Sequence, residues 1–138
     1  MKTIEVVAAL ICKKDRFLIC RRPPSKARGG MYEFPGGKVE PDETPPQALR
    51  RECLAIDTQI DDAVADVEHS YPELTIHLTL YQATILQGDP KGLEHDDLQW
   101  ITTAQLEDYP FCPADVAFHD TIRAFARYLN DADLMDTY

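Results

Sequence analysis

The carboxylates best placed for chemistry lie between Gly37 and Glu52, in the run FPGGKVEPDETPPQALRRE that begins at Phe34. A glycine turn leads through Glu40, Asp42 and Glu43 to a Thr-Pro-Pro helix start, and the helix carries Arg51 and Glu52. Hard cations such as magnesium prefer carboxylate oxygens, and a pyrophosphate resists attack until its charge is neutralised. Residues three and four apart share a helix face, so carboxylates at those distances from Glu52 would share its ions. The sequence supplies none there, because Cys53, Leu54, Ala55 and Ile56 are all uncharged. The run opens like a cation-assisted phosphate site and then stops short.

The elements that must position these residues follow from pattern. Ile4 to Cys12 is apolar and β-branched, Phe17 to Cys20 is apolar, and the polar Lys13 to Arg16 between them predicts a hairpin. Pro23 to Gly30 reads as an exposed loop. Thr44-Pro45-Pro46-Gln47 offers a capping hydroxyl, prolines where an N–H is dispensable, and a glutamine that closes a capping box, so a helix starts there. Ile56 to Val67 and Leu74 to Tyr81 read as strands, Gln87 to Gly92 as a turn and Trp100-Ile101 as a short strand. Thr103 to Glu107 starts a short helix, and Pro113 to Leu129 reads as a helix burying Val116, Ala117, Ile122, Ala124, Phe125 and Leu129. Strands interleaved with two substantial helices, and with hairpins, predict an α/β fold that is not purely parallel.

With those elements in place, the segment Gly37 to Glu52 resembles the first two-thirds of the Nudix box, the signature of the MutT-like hydrolases. Gly37, Glu43, Arg51, Glu52 and the hydrophobic Cys53 fall at the family's spacings. The family's next two glutamates would fall on Ala55 and Ile56; loss of Glu-Glu-Leu between Leu54 and Ala55 fits the ending better than two substitutions, and either reading removes the same carboxylates. "EFPGGKVEPDE" from Glu33, "LEHDDLQW" from Leu93 and "YPFCPAD" from Tyr109 look like the branch that hydrolyses CTP and modified or oxidised nucleoside triphosphates.

The resemblance implies a single domain over residues 1–138, a Nudix-type α/β/α sandwich with a mixed sheet between helices, and conversion of NTP and water to NMP and pyrophosphate. It implies magnesium, with manganese as a substitute, held by Glu52, the Gly36 carbonyl and Glu94, with Glu52 and Glu94 as the catalytic carboxylates. It places Arg22 and Lys38 near the phosphates and Asp115 at the base. Gly37, Glu43 and Arg51 support the box. Tyr71 reads either as a base-stacking ring or as a strand-end core tyrosine. Asp115 has a plainer role open to it, stabilising the first turn of the last helix by its charge.

The missing acids imply weakened metal affinity and impaired turnover. Two other readings stand beside the enzyme: an inactive nucleotide-binding module or engineered deletion variant, and a purely structural interaction domain. The formal net charge of -10 repels nucleic-acid polymers and anionic membranes, so the expected partner is a small-molecule nucleotide bound to a monomer or homodimer. Cys12, Cys20, Cys53 and Cys112 lack CxxC spacing and read as buried free thiols of a cytoplasmic protein.

Overall fold

In a computed structural model the structure is described over residues 3–53, 56–89 and 97–124. Seven strands form one mixed sheet: β1 (Thr3–Lys13), β2 (Arg16–Arg21), β3 (Tyr32–Glu33), β4 (Gly36–Lys38), β5 (Ile56–Ser70), β6 (Thr75–Gly88) and β7 (Asp97–Ile101). The predicted hairpin is present but opens quickly. Strand β2 pairs with β1 only at Cys12↔Phe17 and Lys13↔Arg16, then runs along β7 from Phe17↔Ile101 to Arg21↔Asp97. Strand β4 takes the vacated side of β1, with Val7 opposite Gly37, while β6 lies parallel to β1 on its other side from Thr3↔Thr75 to Ile11↔Ala83.

Alternation along β1 divides the core into two layers, since successive side chains point to opposite faces. Val7, Ala9 and Ile11 pack with Leu18, Ala83 and the helix residues Ala48, Leu49 and Cys53 of α1 (Pro45–Glu52). Ala8 and Leu10 pack on the other face with Phe34, Leu80, Phe118 and Ile122, beneath α2 (Pro113–Val116) and the helical stretch 119–124. This is the α/β/α sandwich with a mixed sheet at its centre.

Several local expectations need correction. The last helix is broken by a turn at 117–118, and its inner side is Ala114, Asp115, Phe118, His119 and Ile122. Val116, 48% exposed, and Ala117 and Ala124 face outward; Phe125 and Leu129 lie outside the described residues. Strand β6 continues through Gln87 to Gly88, into the start of the expected turn Gln87–Gly92, because it pairs with β5 as far as Ile56↔Gly88; residues 90–92 of that turn lie outside the described residues. Trp100-Ile101 is the end of a longer strand, and Thr103–Asp108 is a 3-10 helix. All four cysteines are free thiols, and Cys12 is only partly buried. No helix among the described residues is long and apolar enough to cross a membrane.

Candidate active site

The Thr44 cap sets the start of α1 and hence the rotation of everything on it. Thr44 Oγ1 accepts from the Gln47 amide at 3.3 Å and Gln47 Oε1 accepts from the Thr44 amide at 2.8 Å, the reciprocal pair of a capping box. Arg51 is thereby turned toward the loop before the helix. Its Nε and Nη2 donate to the two oxygens of Glu43 at 2.9 and 3.1 Å, and Nη2 also donates to the Lys38 carbonyl at 2.8 Å. The Arg51 hydrogen bonds hold the Glu43 carboxyl below its usual range and raise Arg51 further. Arg51 Nη1 donates to Glu52 Oε1 at 2.9 Å, so one guanidinium fastens the loop and orients the next residue's carboxylate.

Glu52 lies across Gly37. A methyl group on Gly37 would stand 2.4 Å from Glu52 Oε1, which explains a glycine here without any unusual backbone angle. Gly36, beside it, is crowded differently, since a Cβ there would stand 1.9 Å from the Val7 carbonyl oxygen. Both glycines line a cleft of about 140 Å³ that runs from Lys38 inward. The sheet provides an apolar floor of Val6, Ala8, Ile76 and Leu78, and Phe34 closes one wall.

The inner end of the cleft is polar and buried. Asp115 is 5% exposed and accepts from the Phe34 amide at 3.2 Å. Burial, with the nearby Glu33 carboxylate, pushes its carboxyl up to about 8, so at neutral pH it is mainly a neutral acid able to donate a hydrogen bond. Glu33 pairs with Arg22, Nη1 to Oε2 at 3.0 Å, and Arg22 Nε donates to the Ala27 carbonyl at 2.8 Å. Cys112 completes the group, and burial pushes its thiol up to about 12, which removes it as a nucleophile at neutral pH.

Tyr71 serves the wall of the cleft and the packing behind it. Its hydroxyl accepts from the Ala114 amide at 3.2 Å, tying the β5–β6 turn to α2, and the Arg28 guanidinium lies 3.8 Å from its ring centroid. Glu73 holds Arg28 in place.

Of the residues expected from sequence, Arg22, Gly36, Gly37, Lys38, Tyr71 and Asp115 line this one cleft. Glu52 borders it through Gly37, and Glu43 and Arg51 stand behind Glu52. Glu94 lies outside the described residues. Sequence reasoning missed Glu33, Arg28 and Cys112 as site residues. Glu33 opened the run EFPGGKVEPDE without being given a role, whereas Arg28 was one polar residue in a loop and Cys112 read as a core thiol.

A NUDIX domain model matches residues 6–121. The chain belongs to the Nudix family. This Nudix chain is 36% identical over 127 residues to the CTP pyrophosphohydrolase of Escherichia coli (strain K12), across 90% of this chain and 94% of that protein. It is 29% identical over 119 residues to an 8-oxo-dGTP diphosphatase of the same strain, covering 83% and 92% of the two chains. Among solved structures, the E. coli ORF135 protein superposes with a TM-score of 0.71 at 35% identity, over 90% of this chain and 91% of the other. A MutT NUDIX hydrolase from Burkholderia pseudomallei gives 0.77 over 88% and 99% at 22% identity, a likeness of fold. The Nudix sandwich is thus this chain's fold, and MutT-like nucleotide pyrophosphohydrolases are its relatives.

Proposed function

We propose that this chain takes a nucleoside triphosphate with its base at Asp115 and its phosphates toward Lys38 and Glu52, and releases the monophosphate and pyrophosphate. The observation that carries the reading is the cleft itself: an apolar floor, a neutral acid at the closed end, and a lysine and a carboxylate at the open end. Asp115 as donor beside Glu33 as acceptor suits a base edge that sets a ring acceptor next to an amino group, and a carboxylate accepts from the cytosine amino group readily. CTP and modified pyrimidine nucleotides are therefore the first substrates to try, with oxidised purine nucleotides after them.

The donor set defines how a cation fits. Glu52 belongs to no cluster of three acidic, thiol or imidazole ligands among the described residues. Magnesium is commonly held by one or two carboxylates together with substrate phosphates, so Glu52 and the Gly36 carbonyl suit an ion that arrives with the nucleotide. When bound, magnesium or manganese supplies charge neutralisation and activation of water. The chain's own residues do the rest: Arg51 fixes Glu52, Lys38 holds phosphate oxygens, Asp115 holds the base, and the apolar floor keeps water from the base end. Glu94, which precedes β7 in the sequence, is proposed as a further carboxylate.

A single described carboxylate at the end of an eight-residue helix also supports a second reading, a nucleotide-binding chain with low turnover. The proposal extends to free nucleotides in the cytoplasm, bound by a monomer or homodimer, because a net charge of -10 repels nucleic-acid polymers. Pyrophosphate release over a nucleotide panel with magnesium and with manganese tests it, run beside thermal shift. Turnover supports the enzyme, and a shift without turnover supports the binding chain. Neither signal with any nucleotide would remove both.

A further inference from the structure

We propose that the inner end of the cleft is a second cation site, separate from Glu52, which takes a thiophilic divalent ion such as zinc on Glu33, Cys112 and Asp115. Their ligand atoms all lie within 4.8 Å of one another. A tetrahedral zinc site with bonds of about 2.0–2.3 Å places its ligands roughly 3.3–3.8 Å apart, so closing this group takes about an ångström of side-chain movement.

The framework that presents the ligands is built from backbone. The Tyr32 amide donates to the Pro110 carbonyl at 2.8 Å, the Cys112 amide to the Tyr32 carbonyl at 2.9 Å, and Phe34 to Asp115 as described. These bonds clamp β3 to the segment entering α2 and set all three ligands facing one point. They would hold that geometry without an ion.

The thiol provides an independent pointer. Cys112 is 3% exposed, lines the cleft, and its Sγ has no hydrogen-bond partner among the described residues. The neighbouring Cys20 thiol, by contrast, donates to the Glu33 carbonyl at 3.3 Å. A buried sulfur beside two carboxyl groups is a poor partner for magnesium and a good one for zinc. Three protein ligands with the fourth position open to a cleft is the arrangement of zinc sites that accept an outside ligand. Arg22 on Glu33 matches the usual second layer, because ligating carboxylates are themselves hydrogen-bonded. As the metal binds, the Cys112 thiol proton and the Asp115 carboxyl proton both pass to the buffer, and the ion then fills the place proposed above for the base.

The test uses the full chain in chelator-treated, magnesium-free buffer, with zinc titrated by calorimetry and cadmium followed through its ultraviolet thiolate band. The wild type and Cys12→Ser should both show the band, and Cys112→Ser should lose it. Glu33→Gln should weaken zinc by more than the roughly 10–100-fold that loss of an outer-layer partner costs. A band that survives in Cys112→Ser, or zinc bound as tightly by Glu33→Gln as by the wild type, overturns the site. Far-ultraviolet melts check folding, and if Cys112→Ser does not fold, Glu33→Gln decides alone. Saturating cytidine monophosphate should compete with zinc. If zinc binds in the expected way without competition, the cation site stands and the proposed base position fails.

Discussion

Glu52 and Gly37 occupy one space, since the carboxylate of the first lies where a side chain on the second would begin. The obstacle to a methyl at Gly37 is the far end of a flexible side chain, whereas at Gly36 it is the β1 backbone. Gly37→Ala should therefore fold with stability within about 1 kcal/mol of wild type and lose its magnesium response, because Glu52 swings away. Gly36→Ala should cost about 1–3 kcal/mol or more as an overpacked position. Urea denaturation and metal-dependent pyrophosphate release measure the two effects; a Gly37→Ala protein with full metal response would show that the position of Glu52 is immaterial.

The end of α1 offers a gain-of-function experiment. The helix stops at Glu52 and β5 begins at Ile56, which leaves no helical turn for further acids. Inserting Glu-Glu-Leu between Leu54 and Ala55 should raise magnesium-dependent turnover by orders of magnitude, while Gln-Gln-Leu restores length without charge. Equal rescue by both would make geometry, not ligand charge, the defect.

His77 bridges three strands, with Nδ1 2.7 Å from Glu5 of β1 and Nε2 2.7 Å from Asp66 of β5. The Asp66 and Glu5 contacts raise its pKa. The bonus is fully present below the unfolded value of about 6.5 and is lost as pH rises through the higher folded value. Its size is modest because the cluster is exposed to solvent. Urea midpoints should fall with rising pH over that window in the wild type and stay flatter in His77→Gln. Parallel curves would show that the bridge contributes nothing.

His119 carries a cost. Its Nε2 is buried without a partner among the described residues, and the ring packs edge-on against Phe111 at 4.7 Å. His119→Phe keeps the ring contact and removes the orphaned nitrogen, so it should stabilise the chain by about 1 kcal/mol in chemical denaturation. Destabilisation would mean that the nitrogen is satisfied in solution.

What could be read from the chain was whatever had short-range chemistry. Thr44 and Gln47 announced the helix start, an apolar β-branched run marked β1, alternation marked β6, and the Gly37–Glu52 spacing pointed to the family and its fold. The inner cleft was less legible, because Glu33, Arg28 and Cys112 become neighbours of Asp115 and Tyr71 only through the β3–α2 clamp and the loop that brings Arg28 onto Tyr71. Val116 misled for a related reason: a continuous helical period assigns it inward, and the turn at 117–118 resets the phase.

The pairing of β1 has a kinetic side. Strands β5 and β6 form a long hairpin across the tight turn at Tyr71–Leu74, whereas β1 joins β6 only by bringing together segments of wide sequence separation, Thr3 with Thr75. Local ribbons assemble early and long-range parallel pairings late. Strand β1 is hydrogen-bonded on both sides and buried from Val7 to Ile11, so once formed it belongs to the last part of the structure to open. Since β1 forms the floor of the cleft and backs both glycines, the cleft is complete only when this slowest pairing closes: on refolding, ligand binding should appear after the β5–β6 ribbon is protected.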